Sequence, residues 1–180
     1  MKRGSIAVLT LVCVGMVSGV FADGVRNWRA RLTGFEETPL TLSTVASGRF
    51  DARINREETA VDWELRYEDL EGAVLQAHIH FGDRHIGGGI SVFLCSNLGN
   101  GPAGTQPCPP APARISGTFM AADVLGPAGQ GIEPGALAEL IRAIRAGRTY
   151  ANVHSSKWPS GEIRGQLGRD SGRGNDHSGH

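Results

Sequence analysis

Cysteine is scarce in this chain of 180 residues: Cys13, Cys95 and Cys108 are all it has. With no second Cys pair, the common thiolate-rich structural zinc sites have little to build on. An excess of charge of one sign is missing too. Eighteen Lys and Arg balance 18 Asp and Glu, and no basic stripe stands out along the chain. That argues against a nucleic-acid partner and against strong attraction to anionic membranes. Gly-x-Ser-x-Gly is absent, and no nucleophile stands beside a base, so hydrolase chemistry has no support. Gly87-Gly88-Gly89 lacks the lysine and the strand-to-helix setting of a phosphate loop. No internal repeat of useful length is evident, and the length suits one domain with appendages.

The one long apolar run is N-terminal. Lys2 and Arg3 precede Ile6 to Val17, and Val20-Phe21-Ala22 supplies the small residues a signal peptidase reads. Residues 1–22 are therefore expected to be a signal peptide cleaved after Ala22, with the protein secreted or periplasmic and no integral membrane segment left. Val12 argues against a lipidated Cys13. Loss of Lys2 and Arg3 leaves 16 basic against 18 acidic residues, a net charge of about −2. It also leaves Cys95 and Cys108 as an even pair, expected to form a disulfide in an oxidising compartment.

What the chain has in quantity is period-two alternation. Trp28, Ala30 and Leu32 alternate with Arg29 and Arg31; Phe50, Ala52 and Ile54 with Arg49, Asp51 and Arg53; Val61, Trp63, Leu65 and Tyr67 with Asp62, Glu64 and Arg66. Each pattern suits an antiparallel strand with one dry and one wet face. Arg56-Glu57-Glu58 reads as a hairpin connection. Ile90 to Leu94, Ile115 to Ala121 and Glu162 to Leu167 add further strands. Leu137, Leu140, Ile141 and Ile144 give one amphipathic helix, with Pro134 expected in its first turn and Gly147 at its end. Many short strands with regular turn signals argue for an all-β sandwich or barrel over residues 23–167, with one short crossover helix. The Gly-, Ser- and His-containing segment 168–180, with His177 and His180, is expected to be disordered.

The sharpest chemical signal is Ala77-His78-Ile79-His80-Phe81. On a strand, His78 and His80 project from one face, and Leu75, Ala77, Ile79 and Phe81 from the other, as core. A third histidine, His154, ends the strand-like run Thr149 to His154. Three imidazoles with an open position suit Cu(II) ahead of Zn(II). Asn152, Gln76 or Asp83 is expected to fix their tautomers. Glu36 and Glu37 read as structural acids at a strand end before Pro39. Glu162 and Arg164 share a face and read as part of a salt-bridge ladder, worth little if exposed.

Four pieces in order resemble the CHRD domain, the module first defined in chordin. They are Leu32-Thr33-Gly34-Phe35-Glu36-Glu37-Thr38-Pro39, Ala77-His78-Ile79-His80, Leu140 to Gly147, and Asn152-Val153-His154 through Gly161-Glu162-Ile163-Arg164-Gly165-Gln166-Leu167. The resemblance spans roughly Trp28 to Leu167 and implies an immunoglobulin-like β-sandwich, so the fold expected is an all-β Greek-key sandwich with one short crossover helix. A fainter similarity links His78-Ile79-His80-Phe81-Gly82-Asp83 to the copper strand of copper/zinc superoxide dismutases, with Val153-His154 in the place of a later copper ligand. His85 is a weak match to the bridging histidine, and the histidine-rich zinc loop is absent. The leading expectation is a non-catalytic exported binding module with a mononuclear site on His78, His80 and His154. Such a module would have a protein or small-molecule partner. A copper-dependent, superoxide-dismutase-like redox enzyme is the alternative, and a metal-free partner-binding domain the third.

Overall fold

Alternation of apolar and polar side chains becomes a β-sheet throughout the computed structural model, which describes residues 27–169. The strands are β1 (Asn27–Thr33), β2 (Ser47–Ile54), β3 (Ala60–Glu68), β4 (Val74–Phe81), β5 (Gly89–Ser96), β6 (Ala113–Met120), β7 (Thr149–Ser155), β8 (Ile163–Gln166) and β9 (Gly168–Arg169). They pair antiparallel in the order β5-β4-β7-β8-β1-β2-β3-β6, with β9 also on β1. Two halves, β5-β4-β7-β8 and β1-β2-β3-β6, meet through one residue pair, Thr33 and Arg164. The β3–β4 and β5–β6 connections cross between the halves, and a single apolar core draws on both. The all-β sandwich expected from the sequence is therefore present. Residues 1–22, expected to be a signal peptide, and the segment after Arg169 lie outside the described residues. Gly168 and Arg169, expected to open the tail, instead pair with Arg29 and Trp28.

The inward positions of β1, β2 and β3 are those the alternation marks. Trp28, Leu32, Phe50, Ile54, Val61 and Leu65 are all buried, each worth about 1.5–3 kcal/mol of transfer free energy. Phe50 stacks on Trp63 with ring centroids 6.3 Å apart. Leu75 departs from its expected core place. A bulge between Val74 and Gln76 shifts the phase of β4, so Val74 is buried and Leu75 only partly. The helix α1 (Leu137–Arg145) buries Leu137, Leu140, Ile141 and Ile144 as its spacing demands. It begins three residues beyond Pro134, so that proline precedes the first turn instead of occupying it. Gly147, at φ 67°, ends it in the left-handed conformation glycine accepts without strain.

The outermost strands of the two halves, β5 and β6, are drawn together by side chains. A disulfide joins Cys95 of β5 to Cys108 in the loop before β6. The Gln106 amide donates to Leu94 O on β5 and Ser116 O on β6, each at 3.2 Å. The sheet is thus nearly closed, and its exposed edges are shortened.

Candidate metal centre

β4 and β7 lie side by side, with His78 opposite Asn152, His80 opposite Tyr150 and Gln76 opposite His154. Ala77, Ile79, Ala151 and Val153 fill the core from one face of this pair. His78, His80 and His154 share the other, where diagonal cross-strand neighbours come within reach of long side chains. Their ligand nitrogens all lie within 4.8 Å of one another. His78 Nδ1 and His154 Nε2 are 3.3 Å apart. Nitrogens bound tetrahedrally at 2.0–2.1 Å from a metal would be roughly that far apart, so one edge of a coordination shell already has its length.

This face is not wet. His78 is fully buried, and His80 and His154 retain 8% and 7% exposure. Phe93 of β5 packs edge-on against His78, and Tyr150 stacks parallel to His80 at 4.8 Å. The Arg164 guanidinium lies 3.4 Å from the Tyr150 ring centre. On the other flank, β5 pairs with the histidine strand through register shifts at Ala77/His78 and Ile79/His80. Such bulges re-aim side chains.

Backbone carbonyls orient two of the rings. His80 Nδ1 meets Gly88 O and His154 Nδ1 meets Pro159 O, both at 3.0 Å. A carbonyl only accepts, so both rings carry their proton on Nδ1 and turn an Nε2 lone pair inward. Asn152, Gln76 and Asp83, expected to do this from the sequence, do not: Gln76 bonds Asn100, and Asp83 pairs with Arg148 on the surface. Every residue has a backbone carbonyl, so the two that orient these rings, in the loops just after β4 and β7, carry no signal in the sequence. Burial pushes His78 down to about 2 and His80 to about 4, and it lowers His154 as well. All three are neutral near pH 7, the form that binds metal. The Nε2 atoms of His78 and His80 are buried without hydrogen-bond partners. Buried polar atoms are costly to leave unmatched, and a metal ion held by His78 Nδ1 and His154 Nε2 would match the lone pair of His80 Nε2, with the His78 proton then on its Nε2. His85 is exposed and outside this group; His177 and His180 lie beyond the described residues.

A second buried cluster adjoins the histidines. Arg164 donates to Thr38 Oγ1 and to the carbonyls of Asp83 and Ile86. Glu162 Oε1 accepts from Glu71 N and Thr44 Oγ1. Both side chains are almost completely buried. They pin surrounding loops over the polar face, a different role from the cross-strand salt-bridge ladder expected. Glu37, at the end of a 3₁₀ turn over Gly34–Glu36, is buried as well, with Asn152 Nδ2 3.5 Å from its Oε2. Desolvation raises its carboxyl to about 7 against the opposing pull of Arg164. Gly161 makes room for this: at φ 134°, a Cβ there would lie 2.7 Å from Glu37 Oε2. Glu36, its neighbour, is at the surface and pairs with Arg84 at 2.6 Å.

The strand order, the histidine pair and the closing Asn152-Val153-His154 to Leu167 segment now have their places. A family model for the CHRD domain matches residues 28–167. The chain belongs to the CHRD domain family. No curated protein and no solved structure matches it. The matched range of the CHRD domain starts at Trp28 on β1 and ends at Leu167, so both the histidine triad and the buried Glu37–Arg164 cluster fall inside it.

Proposed function

We propose that this CHRD domain is an exported, non-catalytic binding module that holds one transition-metal ion on His78, His80 and His154, copper ahead of zinc. The observation that carries the proposal is the convergence of the three ligand nitrogens within 4.8 Å from strands far apart in sequence. An all-imidazole donor set suits both metals, and intrinsic affinity ranks copper higher. Metal would replace the His78–His154 contact with two stronger bonds and match the buried, unpartnered Nε2 of His80. Near-complete burial of the three rings favours holding a metal over turning a substrate over. Export is supported by the Lys2-Arg3 and Ile6–Val17 pattern together with the Cys95–Cys108 disulfide, which belongs in oxidising compartments. Among the described residues no helix is long and apolar enough to cross a membrane.

The test is elemental analysis and copper titration of the chain carrying H177Q and H180Q, which removes the adventitious C-terminal imidazoles. One tightly bound equivalent is expected, and H154Q should abolish it. Undiminished stoichiometric binding in H78Q or H154Q would sink the site. Superoxide or oxidase turnover that tracks copper occupancy would move the protein to the redox reading.

A further inference from the structure

The outer face of the other half-sheet carries a feature that no stretch of sequence displays. Arg31 of β1 is the register partner of Arg49 on β2, Arg49 of Arg66 on β3, and Arg66 of Arg114 on β6. Four arginines therefore stand in one row across four strands, spanning about 14 Å at the usual strand spacing. Like charges directly opposite one another destabilise a sheet, so an unbroken row of four is a cost to the fold. The chain as a whole is neutral, which makes the row a local concentration of charge.

The adjacent row shows how the guanidiniums are held. Asp51 takes Arg29 at 2.9 Å and Arg49 at 2.6 Å, and Glu64 takes Arg66 at 2.7 Å and Arg114. Two carboxylates orient four arginines from one side. Arg31 has no ion-pair partner among the described residues. Even counting Glu68 at the rim, bonded to Ser47, and Asp62 beside Arg53 in the next row, six arginines face four acids on this outer face among the described residues. The side chains of Arg49, Arg66 and Arg114 are 46%, 54% and 66% exposed. They wall a groove of about 800 Å³ that runs along the row from Arg31 to Arg114.

We propose that this groove binds a linear anionic polysaccharide, a chain bearing sulfate or carboxylate groups at intervals along its length. Guanidinium matches both groups through paired N–H donors, and most donors of Arg31, Arg66 and Arg114 remain unused among the described residues. A row of four fits a repeated anion on an extended chain better than one isolated anion. Single-stranded nucleic acid needs aromatic platforms for its bases. Along this face Trp28, Phe50, Trp63 and Tyr67 all turn inward. The inference is independent of the metal site, which lies on the other half-sheet.

Titration calorimetry with a size-defined heparin oligosaccharide, polygalacturonate and a single-stranded DNA of matched charge tests it. One or both polysaccharides should bind at about 0.15 M salt and weaken as salt rises. R31Q/R66Q should lower that affinity about tenfold or more, and D51N/E64Q, which removes competing carboxylates, should raise it. R142Q/R145Q, on the helix, should leave it unchanged. If R31Q/R66Q fails to fold, R31Q alone decides, because it breaks no ion pair among the described residues. Absence of polysaccharide binding, tighter binding to the DNA, or equal loss in R142Q/R145Q would each overturn the proposal.

Discussion

His78 and His154 are 76 residues apart in sequence, and their facing nitrogens are 3.3 Å apart. They are not direct cross-strand partners. His78 stands opposite Asn152 and His154 opposite Gln76, so the contact is a diagonal one across β4 and β7. A diagonal places the two rings on one face but at different heights. That leaves space for His80 to approach from the same strand as His78.

The buried imidazoles predict acid sensitivity. His78 and His80 have folded values of about 2 and 4, against 6.5 when unfolded. Between these limits the unfolded chain binds more protons, so their contribution is present above pH 6.5 and lost as pH falls through 4 towards 2. The melting temperature of metal-free protein should fall steadily below pH 6.5. In H80Q the fall should be shallower; an identical profile would show that His80 is not held neutral by the fold.

Glu37 acts with the opposite sign. Its folded value of about 7 exceeds the ordinary 4.5, so the folded state keeps a proton that the unfolded chain has released. That contribution is complete below pH 4.5 and is lost as pH rises through 7. E37Q cannot ionise and shares the histidine contribution, so the parent's melting temperature should lose ground to that of E37Q as pH rises from 5 to 8. Parallel curves for the two proteins would contradict a buried, protonated Glu37.

Gly161 is expected to tolerate no side chain. Its φ of 134° is one L residues rarely adopt, and a Cβ would strike Glu37 and Asn152. G161A should destabilise by about 1–3 kcal/mol through backbone strain alone. Urea denaturation measures this, and a loss below about 0.5 kcal/mol would mean that the Glu37 pocket yields easily.

The seam between β5 and β6 should depend on its covalent tie. Replacing Cys95 and Cys108 together by Ser is expected to cost about 2–4 kcal/mol. Thiol labelling of native protein should find neither cysteine reactive. Two labelled thiols would remove the disulfide from the account.

Much of the fold was legible because period-two alternation has one physical reading. Trp28-Ala30-Leu32 and Val61-Trp63-Leu65 could be inner faces of strands and little else. The pairing of Cys95 with Cys108 was the expectation once Cys13 was assigned to the expected signal peptide. Leu75 misled because a bulge changes phase without leaving a mark in composition. Glu162 and Arg164 misled for a different reason. Alternation tells which side of a strand a residue occupies, and it does not tell whether loops from elsewhere will cover that side.

The sequence by itself determined the strands, the helix, the histidine triplet as a candidate set and the family, because these rest on local periodicity and short motifs. Only the tertiary structure decided what each outer face became. Loops around Glu37 and residues 83–88 close over β4, β7 and β8 and turn their polar residues into a dry cluster with shifted protonation. Among the described residues nothing comparable covers the arginine row on β1, β2, β3 and β6. Strand register aligned those four residues from segments up to 83 positions apart. Register and loop coverage are set by contacts distant in the chain, and alternation within a single strand cannot encode them.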